Sequence, residues 1–223
     1  MNNFRLKWIA IITMVIDHTA AVLLPQTSPT WMVMRCIGRL AFPIFVFLLV
    51  EGFFHTRNIN KYLIRLGIFA LISEVPFDLA LYGTVLEFTH QNIFFTLFLG
   101  LSCIYLMSLV EKKYKTNVFL TNLLQGLITL GICIIAFILH TDYSFAGILL
   151  IAAFYLFRGN KVLLTISLLF VAAFVLGSIE VFATLAIIPI AFYNGEKGKS
   201  MKYFFYVFYP AHLLILAGIN LLL

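Results

Sequence analysis

The chain has 223 residues, of which 63% are apolar and 11% charged, with a mean hydropathy of +1.06. Soluble domains run roughly 45–50% apolar and about 25% charged, so this sequence lacks the polar residues to coat a water-facing surface. It reads as an integral membrane protein, and the net charge of +6 then reports topology rather than nucleic-acid binding.

The apolar runs are ~17–20 residues long and show no period-2 alternation, so they predict helices rather than a barrel. In chain order they predict about nine spans, over residues 8–24, 31–54, 62–82, 92–110, 118–139, 143–157, 161–177, 179–193 and 203–222. The first run is too long for a signal-peptide core and no cleavage pattern follows it, so it reads as a retained span. The run 161–193 admits other divisions. With no internal repeat and no long linker, residues 1–223 read as a single all-α transmembrane bundle. Cys36, Cys103 and Cys133 are far apart inside apolar segments and read as packing residues, not a disulfide framework or a metal site.

Lys and Arg alternate with the spans. Arg5 and Lys7 precede the first. Arg57, Lys61 and Arg65 follow the second, and Lys112, Lys113 and Lys115 the fourth. Arg158 and Lys161 follow the sixth, and Lys197, Lys199 and Lys202 the eighth. Only Arg35 and Arg39 depart from this pattern among the chain's 15 Lys and Arg. The positive-inside rule then puts the N-terminus in the cytoplasm and the C-terminus outside, in a multi-pass protein of a bacterial cytoplasmic membrane.

Arg35 and Arg39 are four residues apart, hence on one helix face, and an Arg within a span marks a functional site by default. Two guanidiniums so placed can clamp a phosphate or carboxylate; the plainer reading is snorkelling to the headgroups. At ~1.5 Å of rise per residue, His18 lies ~9 Å below the outer end of its span, Arg35 and Asp78 ~6 Å, and Arg39 and Glu74 ~12 Å. Gln91, Asn92 and Thr96 open the fourth span at the same level. This layer reads either as a wet pocket or as an ion-pair knot of Arg35 and Arg39 with Glu74 and Asp78. The knot leaves His18 unexplained, and proton transfer is its natural task. Asp17 lies about 100° around the helix from His18, placed to orient a neighbour instead.

At the inner end, Glu51 and His55 share a face of the second span, followed by Arg57 and Arg65, which can receive an anionic nucleotide-like ligand. Lys61 reads as an interfacial anchor. His212 falls near the middle of the last span, a core histidine or a functional one. Tyr209 precedes it in an aromatic run. Phosphate-loop, CxxC, HExxH and GxSxG patterns do not occur, and no metal is expected.

The segments IITMVIDHTAAVLLP (11–25), RCIGRLAFPIFVFLLVEGFFHTRN (35–58), YLIRLGIFALISEVPFDLA (62–80), QNIFFTL (91–97), PIAFYNGEKG (189–198) and KYFFYVFYPAHLLIL (202–216) together resemble the TraX family, named for the membrane protein that acetylates the N-terminus of conjugative F-type pilin. The resemblance covers both ends of the chain and little of 117–180. It implies an acetyltransferase with acetyl-CoA as co-substrate. The family is similar in outline to membrane acyltransferases that acetylate sugars, which place a histidine on an early helix and an arginine pair nearby; the matching positions are His18, Arg35 and Arg39.

The expectation is an enzyme that moves acetyl from cytosolic acetyl-CoA to an amine or hydroxyl of an envelope acceptor, a pilin N-terminus or a surface glycan or peptide. His18 would be general base, Arg35 or Arg39 would stabilise the oxyanion, and Glu74 or Asp78 would hold His18 or bind a cationic amine; Asp17 completes the catalytic group. Glu51, His55, Arg57, Arg65, Gln91, Asn92, Thr96, Tyr209 and His212 would contact substrates. The partners would be acetyl-CoA, the acceptor and the bilayer, with no nucleic acid. A proton-coupled transporter that performs no chemistry is the alternative these residues allow.

Overall fold

The computed structural model describes residues 1–199 and 201–223, with the backbone alone for Ser178 and Lys202. The described residues are helical throughout and hold no strand; a lone bridge joins Gln91 to Thr141. The helices are α1 (Asn3–Leu23), α2 (Pro29–Gly38), α3 (Ala41–His55), α4 (Ile59–Tyr82), α5 (Ile93–Lys113), α6 (Val118–Ile138), α7 (Ser144–Leu156), α8 (Lys161–Phe170), α9 (Ile187–Ala191) and α10 (Lys202–Asn220). A π-helical turn, Val171–Leu176, prolongs α8, and a 3-10 stretch, Ser178–Ala186, leads into α9.

Asparagine starts many of these helices. Asn2, Asn58, Asn92, Asn117 and Asn160 each turn a side-chain oxygen onto a backbone N–H of the first turn of α1, α4, α5, α6 and α8, which satisfies a donor the helix cannot. Pro29 opens α2, where its missing N–H costs nothing. Gly83, at φ +68°, ends α4 in the left-handed conformation.

The sequence predicts one span over 31–54, and the structure divides it at Arg39–Leu40 into α2 and α3. Pro43 has no N–H to return to the Arg39 carbonyl, which breaks the ladder there. The divide near residue 177 falls as expected, at Gly177 with φ +108°. The flanking segments are π and 3-10 rather than α, which is why the periodicity of 161–193 is hard to parse.

Among the described residues, Pro29–His55 (α2 and α3 taken together) is one of five helices long and apolar enough to cross a membrane. The others are Asn3–Leu23, Ile93–Lys113, Val118–Ile138 and Tyr203–Asn220. Shorter apolar helices run over Ser144–Leu156, Lys161–Leu176 and Ile179–Ala191. Large apolar side chains face outward, among them Leu71, Phe119 and Phe174, all at least 70% exposed, while Asp17, Arg39, Glu51 and His212 are buried. That inversion suits lipid as the solvent.

α3 is central, packed against α1, α5, α7 and the 3-10 stretch; α10 lies against α4 and α1, and α6 is outermost, against α5 and α7. Contacts sort the chain into two ends. At one, Met1 and Asn3 meet Phe192, Asn194 and Glu196, Arg158 meets Glu51, and Tyr155 meets Glu111. At the other, Asp17, Arg35, Arg39, Tyr143 and Glu180 meet.

α1 and α2 approach closely at Gly38, where an added Cβ would strike the Asp17 carboxylate. Gly38→Ala should therefore push Asp17 off its partners and cost about 1–3 kcal/mol, read as a lower melting temperature in detergent; an unchanged melt would contradict this packing.

Candidate functional site

Arg39 is the hub of the far end. Its Nη2 donates to Asp17 Oδ1 at 2.6 Å, its Nη1 to Glu180 Oε1 at 2.5 Å, and its Nε to the Arg35 carbonyl at 3.3 Å. Nη1 also donates to the Tyr143 hydroxyl at 3.4 Å. Arg35 Nη1 donates to the second Asp17 oxygen at 2.7 Å. Two cations and two anions thus neutralise one another, as buried charges must. The guanidinium of Arg39 has a partner at every nitrogen, whereas Arg35 Nε is buried with none among the described residues.

The expected knot therefore exists with other acids. Asp17 and Glu180 hold the arginines, and Asp17 orients neighbours other than His18, as its angular position implied. Glu74 accepts from the Asn92 side chain and, at 3.3 Å, from its backbone N–H. Asp78 accepts from Glu87 N at 2.8 Å. Asn92 also donates to the Ala70 carbonyl at 2.8 Å, and Gln91 exchanges backbone bonds with His140 and Asp142. Thr96 donates its hydroxyl to the Asp142 carbonyl. Glu74, Asp78, Gln91, Asn92 and Thr96 share the level of the arginines but form a belt tying α4 and α5 to the 140–143 loop.

His18 is held by His212. His212 Nδ1 lies 2.9 Å from the Phe208 carbonyl, and His212 Nε2 lies 2.7 Å from His18 Nδ1. A carbonyl only accepts, so Nδ1 of a neutral His212 carries its proton and Nε2 offers a lone pair. His18 Nδ1–H donates to that lone pair, which leaves His18 Nε2 unprotonated. The two rings are within 12° of parallel, and Tyr209 stands edge-on to both.

A cavity of about 910 Å³ connects the two ends. His18, Arg35, Arg39, Asp142 and Tyr143 line it at the far end. At the other, Lys7, Arg57, Lys61, Arg65, Lys197 and Lys199 line it. Asp17, Glu51, His55 and Tyr209 also reach its wall, while His212 stands behind His18. Glu51 is engaged by Arg158 Nε at 2.7 Å, and His55 Nδ1 lies 2.8 Å from the Glu51 carbonyl.

Sequence reasoning missed Glu180, Asp142 and Tyr143. The available signal was that Glu180 is the lone acid in the apolar stretch 161–193. Tyr143 sits at φ +59° between His140 at +50° and Ser144 at +44°, a left-handed state that costs about 1–2 kcal/mol for an L side chain. The strain is offset where its ring stacks on Phe42, centroids 3.8 Å apart, and its hydroxyl meets Arg39.

An apolar exterior, a charged interior and a cavity threading the bundle define a polytopic helical membrane protein with an internal polar site. The chain belongs to the TraX family, whose model matches residues 3–220. It is 32% identical over 248 residues to a probable fimbrial assembly protein FimC, serogroup H1, of Dichelobacter nodosus, covering 100% of this chain and 97% of that one. An uncharacterized protein of Rickettsia prowazekii (strain Madrid E) is 33% identical over 102 residues, 45% of this chain and 35% of its own. No solved structure matches the chain.

Asp142, in the loop before α7, gives the site a pH signature. Burial pushes its carboxyl up to about 6, against the opposing pull of Arg39. The fold favours the protonated form, so the stability Asp142 contributes is complete below the ordinary value of 3.8 and lost as pH rises through about 6. Melting temperature should fall between those limits, and Asp142→Asn should flatten that slope; an equal slope in both proteins would refute the assignment.

Proposed function

We propose that the chain is a membrane-embedded acetyltransferase that moves acetyl from cytosolic acetyl-CoA to an amine or hydroxyl of an envelope acceptor. The observation that carries this reading is the cavity joining a cationic mouth to the His18–His212 pair. Lys7 and His18 both line it from α1, and eleven residues of helix rise roughly 16 Å. An extended pantetheine arm is ~15–20 Å by bond-length arithmetic. The nucleotide head would rest at Arg57 and Arg65 with the thioester beside His18. Membership of the TraX family and end-to-end similarity to a probable fimbrial assembly protein support a surface-filament subunit as acceptor.

In this reading His18 Nε2 takes the proton from the acceptor nitrogen or oxygen as that atom attacks the thioester carbonyl. Nδ1–H of His18 stays on His212, which fixes the tautomer and steadies the imidazolium. Arg35, held by Asp17 through Nη1, is the guanidinium available to the developing oxyanion, because Arg39 is committed to Asp17 and Glu180. Collapse breaks the C–S bond, and the departing thiolate takes the proton back from His18. The bilayer arrangement is nine crossings with the N-terminus cytoplasmic, so that the cationic mouth faces the supply of acetyl-CoA.

Purified protein with labelled acetyl-CoA and envelope fractions tests the chemistry. His18→Ala should lower transfer by on the order of 10²–10⁴-fold with acetyl-CoA binding nearly intact, and His212→Ala should lower turnover more than binding. Acetyl-CoA that binds without ever losing its label would refute transfer. The orientation is tested by a reporter fused after Leu223, which should be active only outside the cytoplasm; a cytoplasmic C-terminus would refute the nine-crossing arrangement.

A further inference from the structure

The polar segment between α9 and α10 is built into the cavity wall. Asn194 N donates to the Met1 carbonyl at 3.0 Å, and Asn3 N donates to the Glu196 carbonyl at 2.8 Å. Within the segment, Glu196 N donates to Asn194 Oδ1 at 3.2 Å. Gly195 and Gly198 take φ +79° and +65°, conformations that glycine adopts without a Cβ clash. At Gly198 there is a second constraint, since an added Cβ would lie 2.8 Å from Asn2 Nδ2 and 3.0 Å from Phe4 Cβ. The segment is thus fastened against the first turn of α1, and Gly195, Lys197 and Lys199 line the cavity from there.

The mouth has two cationic walls. The α3–α4 corner supplies Arg57, Lys61 and Arg65; α1 and the fastened segment supply Lys7, Lys197 and Lys199. Glu51, the acid lining this end, is occupied by Arg158, and Glu196 is not on the wall. Positive charge is therefore left without a protein counter-charge at the wall among the described residues. Arg65 bonds the Tyr206 side chain and keeps a buried Nε without a hydrogen-bond partner among the described residues.

The cations within each wall differ in depth, and so do the anionic groups of a CoA head. Arg65 and Lys7 are half-buried, whereas Arg57 and Lys61 on one wall and Lys197 and Lys199 on the other are exposed at the rim; with the nucleotide head resting on the α3–α4 corner, Lys197 and Lys199 are the rim cations it leaves free. The diphosphate is bonded directly to the pantetheine arm that enters the cavity, so it must sit deeper. The 3′-phosphate hangs from the far side of the ribose and must sit nearer the rim. We propose that the segment 194–199 is the recognition site for the donor's 3′-phosphate, with Lys197 and Lys199 as its ligands. This rests on the acetyl-CoA reading and adds a selectivity to it: the protein distinguishes CoA from 3′-dephospho-CoA.

The test is binding of free CoA and of 3′-dephospho-CoA to the full-length protein in detergent, by calorimetry at fixed ionic strength. The unaltered protein should prefer CoA by about tenfold or more, in the range of one charge-assisted contact. Lys197→Ala/Lys199→Ala should bring CoA down to the affinity of 3′-dephospho-CoA while changing the latter less than about twofold. Lys197→Arg/Lys199→Arg should keep the preference, and an unchanged ligand-free melt shows the variants folded. Equal losses for both ligands would mean a diffuse positive field and overturn the site, as would a preference that survives the double Ala change. Failure of the unaltered protein to bind either ligand overturns the acetyl-CoA reading itself, a result distinct from binding without discrimination.

Discussion

The ion cluster of Asp17, Arg35, Arg39 and Glu180 is the constraint around which the rest is arranged. Separating one partner from a buried pair costs about 3–5 kcal/mol, a large fraction of the roughly 5–15 kcal/mol that stabilises a whole domain. The cluster therefore dictates the relative placement of α1, α2 and the 3-10 stretch that carry its charges. Gly38 permits the close approach of α1 and α2, and Pro43 breaks the helix where Arg39 turns inward. The strained Tyr143 loop is drawn to the same guanidinium. Because Asp17 is spent on the arginines, His18 faces the other side of α1, where α10 offers His212.

The two ends of the cavity do opposite electrostatic jobs within one continuous space. The far end pairs Arg35 and Arg39 with Asp17 and Glu180, which in the proposed reading lets a proton reach His18 without a large unbalanced charge beside it. The near end keeps its positive charge uncompensated. In the proposed reading a polyanionic group is held at the mouth and kept from the chemistry, while the uncharged part of such a molecule is free to extend inward. Lipid-facing helices such as α6 take no part and serve as outer packing against α5 and α7.

Depth was legible in the sequence and azimuth was not. Counting residues from span ends put His18, Arg35 and Arg39 at one level, and they line one cavity. The same counting put Glu74 and Asp78 at that level, yet they turn to Asn92 and Glu87. A rise of about 1.5 Å per residue fixes height, but the face a residue presents depends on packing, and α4 packs against α10 and α5 while α2 packs against α1 and the 3-10 stretch. Glu180 escaped notice because its segment is 3-10, with no periodicity to point to a face. Lys7, Lys197 and Lys199 were read as topology markers, and nothing in linear sequence brings residue 7 beside residue 197. Many helix starts rest on asparagines ahead of apolar runs, a capping signal that reading spans by hydropathy passes over.

Those capping asparagines have an electrostatic corollary. Asn2 and Asn58 begin α1 and α4 at the cavity mouth, and each helix presents the positive pole of its peptide dipoles there. Backbone and side chains thus add to one field, which exists before any ligand arrives and reaches into solution about one Debye length, roughly 8 Å at physiological salt. Capture of an anion at this mouth is then a salt-sensitive event. The ion cluster and the paired histidines, deeper in the bundle, are screened much less by salt. In the proposed reading, encounter and chemistry answer to different properties of the surrounding solution.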